Sequence, residues 1–149
     1  MRICFDTNVI IDILGTTPDF EKSYAAYDTI LTREFDPCVA LVSLPDVVYL
    51  LKQRGYLSKK AARDALEDLF TMFEILDAKP VDCQEAFESE MADFEDALIA
   101  SIAKRNMADF ILTRNKRDFI NSPVPALTPQ EFMEMFCPPG VSYSMISET

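Results

Sequence analysis

Apolar residues along this chain alternate between short unbroken runs and longer stretches in which they recur every three or four positions. Residues 2–5 are a run that ends at Asp6 and predicts a short buried strand. Val9 to Leu14 suits one or two helical turns stopped by Gly15. Residues 20–34 have helical spacing at Tyr24, Tyr27, Ile30 and Leu31. A second buried strand is expected from Cys38 to Val42. Ser43 then reads as the N-cap of a helix with Pro45 in its first turn, running to about Gln53 before Gly55 breaks it. Ser58 caps a further helix with Ala61, Ala62, Ala65, Leu66, Leu69 and Phe73 on one face. Beyond it the pattern predicts a weak strand at 74–76, a short helix at 82–90 and a strong helix from Phe94 to about Asn106 capped by Asp93. Strands at 110–113 and 125–127 follow, and Pro129 opens a last helix ending near Phe136.

Strands that alternate with helices imply an α/β fold, a central parallel sheet covered on both faces. No linker is evident before residue 137, so residues 1–136 read as one domain and 137–149, with Pro138, Pro139 and Gly140, as a C-terminal extension. Asp6 and Asp12 interrupt the apolar N-terminus, which therefore does not read as a signal peptide. With no stretch of membrane-spanning length, the expected location is the cytoplasm.

Composition narrows the chemistry. The 149 residues include no histidine, which removes Ser-His-Asp and Cys-His catalysis and histidine-rich zinc sites. Three glycines cannot build a phosphate-cradling loop. The cysteines at 4, 38, 83 and 137 form no Cys-x-x-Cys pair, and Cys4 and Cys38, in apolar runs, read as buried thiols. A net charge of −11 opposes simple binding of a polyanion. Its distribution softens that objection, because ten of the fourteen basic residues fall in two segments. One holds Lys52, Arg54, Lys59, Lys60 and Arg63, the other Lys104, Arg105, Arg114, Lys116 and Arg117.

What remains plentiful is carboxylate, and its placement is informative. Sites in open parallel sheets lie at the carboxyl ends of strands. Asp6 follows the first strand, Asp46 follows the second by four residues, and Asn115 and Asp118 follow the strand ending at Thr113. Asp93 and Asp96 lie one turn apart at the start of a helix. Four segments thus offer oxygen ligands to one sheet edge, as magnesium or manganese requires. Singly, each has a structural reading. Ser43-Leu44-Pro45-Asp46 is close to a capping box, Asp93 and Asn8 suit N-caps, and Asp118 suits a turn. Asp6 is the exception, since a strand end in an apolar run must desolvate a carboxylate unless something binds it.

Phe5-Asp6-Thr7-Asn8-Val9-Ile10-Ile11-Asp12 resembles the opening motif of PIN domains. Asp93-Phe94-Glu95-Asp96-Ala97-Leu98 and Ile111-Leu112-Thr113-Arg114-Asn115-Lys116-Arg117-Asp118-Phe119 resemble the two motifs downstream, in the same order, over roughly residues 1–136. The resemblance, to VapC-like members carrying the Asp-Phe-x-Asp and Thr-Arg-Asn versions, implies a three-layer α/β/α sandwich. It also implies a ribonuclease that binds Mg²⁺ or Mn²⁺ and leaves a 5′-phosphate and a 3′-hydroxyl. Asp6 and Asp96 match the first and third acids. Asp46 stands where the family often has glutamate, and Asn115 where many members have aspartate, with Asp118 and Asp93 able to compensate. Asp6, Asp93, Asp96, Asn115 and Asp118 are thereby candidate metal ligands, and Asp6, Asp46, Asp96 and Asp118 candidate catalytic residues. Thr7, Asn8 and Thr113 are expected to orient ligands or water, and Arg114 and Lys116 to contact substrate phosphates.

The same resemblance suggests the toxin of a toxin–antitoxin pair, with RNA as substrate, an antitoxin protein as partner and a homodimeric assembly. The helices around Val47–Leu51 and Ala61–Phe73 are the candidate antitoxin groove, with Tyr49, Leu50, Leu69, Met72 and Phe73 as its apolar residues. The alternative is a catalytically degenerate PIN domain that binds RNA or protein without cutting. A haloacid dehalogenase-type phosphatase also begins with a strand and an Asp, but needs an acid where this chain has Asn8. A receiver-type domain would need an acid pair and a downstream lysine that are not evident.

Overall fold

In a computed structural model the described residues are 1–137. Five parallel strands form one sheet: β1 (Arg2–Phe5), β2 (Asp36–Ala40), β3 (Glu74–Leu76), β4 (Phe110–Leu112) and β5 (Ala126–Leu127). Their spatial order is β3-β2-β1-β4-β5. The helices are α1 (Thr7–Gly15), α2 (Phe20–Thr32), α3 (Leu44–Gln53), α4 (Lys59–Met72), α5 (Pro80–Glu88), α6 (Phe94–Arg105) and α7 (Pro129–Phe136).

The two-residue period of the strands divides the core. Ile3, Phe5, Val39 and Leu112 point to one face, where they pack with α1, α2, α3, α4 and α7. Cys4, Cys38, Ala40 and Ile111 point to the other, against α5 and α6. Three of those four strand residues are small, and Ala97, Ala100 and Ala103 of α6 meet the same face, so α6 can lie close to the sheet. Cys4 and Cys38 are register partners there and act as small apolar side chains; burial pushes both thiols well above their ordinary range. This is the α/β/α sandwich expected from the sequence. Among the described residues no helix is long and apolar enough to cross a membrane.

Several boundaries differ from the sequence reading for identifiable reasons. β2 begins at Asp36 and ends at Ala40, because Leu41–Ser43 forms a 3-10 turn instead of extending the strand. That turn also displaces the expected cap. Ser43 is helical, its side chain caps nothing, and the Leu44 N–H is already taken by the Leu41 carbonyl. Helix α1 begins at Thr7, two residues early, since Asp6 rather than a later residue accepts the first free N–H. Helix α5 begins at Pro80, where Asp82 accepts the Lys79 N–H at 2.7 Å and receives Arg105 at 2.9 Å. Helix α7 ends at Phe136, and the proposed extension, apart from Cys137, lies outside the described residues.

Asp12 ties α1 to its surroundings. Fully buried, it accepts hydrogen bonds from Thr17 Oγ1 at 2.7 Å and Ser23 Oγ at 2.8 Å. Arg114 Nε, from the loop after β4, lies 2.8 Å from its Oδ2 as an ion pair, although the N–H is not aimed at that oxygen. Removing the carboxylate would strand two hydroxyls and a guanidinium. We expect Asp12→Ala to lose about 3 kcal/mol in chemical denaturation, the lower end for a broken buried pair because Arg114 is partly exposed. A loss below about 1 kcal/mol would show that the network does not anchor this corner.

Candidate active site

Strand order reverses between β1 and β4, and their carboxyl ends open a crevice there. Asp6 terminates β1, and its backbone N–H donates to the Leu112 carbonyl of β4 at 2.9 Å. The residue is 7 % exposed. Oδ1 accepts the Thr7 N–H at 2.9 Å and Oδ2 accepts the Thr113 hydroxyl at 2.8 Å. Thr113 Oγ1 in turn accepts the Asn115 N–H at 3.1 Å. Asn8 Oδ1 accepts the Arg114 N–H at 3.2 Å. Thr113 therefore sets the Asp6 carboxylate, and Asn8 holds the loop carrying Arg114 and Asn115. Asn8 does not cap α1, and it is this freedom from capping that lets it reach across to β4.

The crevice is a cavity of about 370 Å³. Asp6, Asp46, Glu95, Asp96, Asn115 and Asp118 line it, with Thr7, Asn8, Tyr49 and Arg54, over an apolar floor of Ile11, Leu50 and Ile99. Every segment named from the sequence contributes: β1, the first turn of α3, the first turn of α6 and the 3-10 turn Lys116–Phe119. Among the described residues, no three carboxylates stand close enough to close on one ion as their side chains lie.

A family profile for the PIN domain matches residues 2–117. The chain belongs to the PIN-domain family. Solved structures agree on the fold. VapBC2 from Rickettsia felis bound to a promoter DNA fragment aligns with a TM-score of 0.68 at 19% identity, covering 86% of this chain and 98% of that one. FitAcB from Neisseria gonorrhoeae aligns at 0.65 and 23% identity, covering 86% and 98%. A toxin–antitoxin complex from Klebsiella pneumoniae aligns at 0.61 and 21% identity, covering 85% and 97%. No curated protein matches the chain.

In this PIN domain the carboxylates resist ionising together. Burial raises the Asp6 carboxyl above the usual range, opposed by its hydrogen bonds to Thr113 and the Thr7 N–H. Asp96 is pushed up to about 7, first by burial and then by the charges of Asp6, Asp93 and Asp118. Glu95 is also raised, chiefly through a hydrogen bond shared with Asp46 across from α3. Glu95 escaped the sequence reading because one residue along a helix turns about 100° away from Asp96, and only residues three or four apart were expected to share a face. The signal was present as the adjacent acids Glu95 and Asp96 within the Asp-Phe-Glu-Asp motif.

The remaining candidates sit elsewhere. Asp93 caps α6, accepting the Asp96 N–H at 3.0 Å, and is not on the cavity wall. Arg114, expected to meet substrate, is paired with Asp12 and lies 3.5 Å from Asp19. Lys116, expected likewise, is bound to Glu131 at 2.9 Å. Of the apolar residues assigned to a partner groove, Leu69 and Phe73 are buried in the core. A groove of about 600 Å³ does lie beside them, lined by Leu41, Val42, Leu44, Pro45, Val48, Tyr49, Lys52 and Leu66. Tyr49 is common to it and the acidic cavity.

The raised Asp96 carboxyl has a definite consequence. Its folded state holds a proton that the unfolded chain releases near pH 3.8, so it lowers stability as pH rises from about 4 to about 7. In chelator-treated protein we expect Asp96→Asn to melt above the wild type at pH 8 and the gap to close toward pH 4. Equal melting temperatures at pH 8 would mean that the carboxylates do not repel as described.

Proposed function

We propose that this PIN domain is a metal-dependent endoribonuclease and the toxin of a toxin–antitoxin pair. The observation that carries this reading is the convergence of Asp6, Asp46, Asp96 and Asp118, from distant segments, on one cavity at the strand-order reversal. In a chain without histidine, this is, among the described residues, a concentration of carboxylates at the place where such folds bind ligands.

The donor set fits Mg²⁺ or Mn²⁺. All donors are oxygens, the carboxylates repel one another, and Thr7 Oγ1 is buried on the same wall without a hydrogen-bond partner. Asp6, Asp96, Asp118 and Asn115 would hold the ion. When bound, it would supply activation of water and charge neutralisation at the scissile phosphate. The protein's own part is positioning. Thr113 and the Thr7 N–H fix the Asp6 carboxylate, while Asn8 fixes the loop that presents Asn115. Glu95, whose carboxyl is raised chiefly through its hydrogen bond with Asp46, adds a protonatable group to the same cavity.

The partner reading draws on the apolar groove beside the site and on the toxin–antitoxin complex among the structures that this chain resembles. An antitoxin segment would fill the groove, and a cation carried on it would pair with the carboxylates. A homodimer belongs to the same reading, and light scattering tests it. Co-expression with a small neighbouring protein should suppress the nuclease.

The direct test is cleavage of an RNA panel by purified protein with Mn²⁺. We expect cleavage leaving 5′-phosphates, and its loss to background in Asp6→Asn or Asp96→Asn while circular dichroism stays unchanged. Full activity in either variant would overturn the assignment. Binding of RNA without cleavage would favour the degenerate reading, for which the separation of the carboxylates is the supporting observation.

A further inference from the structure

A polyanion entering this cavity meets several carboxylates on a chain of net charge −11, so a local cation is needed to seat it. Most of the obvious cations in the second basic segment are already committed. Arg105 pairs with Asp77 and Asp82, Arg114 with Asp12 and Asp19, and Lys116 with Glu131. In the first segment one residue reaches the site. Arg54 is the basic residue on the cavity wall, and among the described residues it makes no ion pair and no side-chain hydrogen bond.

Its backbone is nevertheless fixed. Arg54 closes α3, its N–H donating to the Leu50 carbonyl at 3.0 Å. Gly55 follows at φ 72°, a left-handed conformation that turns the chain away, and its N–H bonds the Lys52 carbonyl at 3.1 Å. An anchored Cα with a free guanidinium at the mouth of an acidic cavity is suited to one task. The planar fork can take two oxygens of a phosphate, which carboxylates repel and a lysine would hold only as a point charge.

We propose that Arg54 binds a backbone phosphate of the RNA substrate at the rim of the acidic cavity and is the principal substrate-positioning residue of this site. The inference rests on the nuclease reading, and its test separates the two. The probe is a fluorescein-labelled single-stranded RNA of mixed sequence. Its binding is followed by anisotropy across a range of KCl concentrations, in the cleavage-impaired Asp96→Asn background. Its cleavage is followed with Mn²⁺ in the otherwise intact protein.

Arg54→Ala should reduce the slope of log affinity against log salt by about 0.7, the value of one lost phosphate contact on a single strand. It should raise KM about tenfold, as expected for a hydrogen bond to a charged group, with a smaller change in kcat. Arg54→Lys should restore the salt slope but only part of the KM. A purely structural role would lower the melting temperature and leave the slope untouched. If the protein with Arg54 intact binds and cuts while Arg54→Ala matches it in slope and KM, the Arg54 assignment falls and the nuclease reading stands. If the protein with Arg54 intact neither binds nor cuts this RNA, the nuclease reading falls and takes the Arg54 assignment with it.

Discussion

The parallel pairing of β1 with β4 is the contact on which the rest of the molecule turns. Residues 2–5 and 110–112 are more than a hundred positions apart, yet they lie side by side, with Phe5 opposite Leu112. The pairing reverses the strand order, opens the crevice and carries the chain out of two strands at the same edge. Asp6 and Thr113 leave those strands together, and their 2.8 Å hydrogen bond is what makes a buried carboxylate tolerable there. Asn8 then reaches from α1 to the Arg114 N–H, while Asp12 one turn on pairs with the Arg114 side chain. A single helix thus clamps the loop after β4 at two points. The site is a by-product of sheet topology, tightened by local polar contacts.

A second theme is the concentration of unfavourable charge where it can be used. Elsewhere the protein neutralises its buried acids. Asp82 receives Arg105, and its carboxyl is held below its usual range. Asp12 receives Arg114 and two hydroxyls. The cavity is different: Asp6, Glu95 and Asp96 are all raised, and the basic residue on the wall stands apart from them. Stability is given up locally, which is the pattern expected of a site poised for a cation or a proton.

Much of this was legible in the sequence, and the misses have physical causes. The strand–helix alternation and the positions of Asp6, Asp46, Asp96 and Asp118 at one edge followed from apolar runs and their ends. Ser43 misled because capping propensity cannot register a preceding 3-10 turn that has already satisfied the helix's first N–H. Arg114 and Lys116 looked available because their partners, Asp12 and Glu131, lie far away in sequence or across an intervening strand. Leu69 and Phe73 looked like surplus apolar surface because a helical stripe does not declare whether its neighbour is the core or another molecule. Glu95 was missed because it sits one step off Asp96, and Arg54, one of five cations in the first basic segment, could not be singled out because only the packing of α3 brings it to the cavity.

The central claim is that carboxylates from separate segments act as one cation site. Electron paramagnetic resonance of Mn²⁺ titrated into the purified protein addresses it without requiring a substrate. The account predicts saturable binding that is sharply weakened by Asp6→Asn and equally by Asp96→Asn, although these residues come from opposite halves of the chain. Binding left intact by both substitutions, or no binding by the unaltered protein, would contradict it.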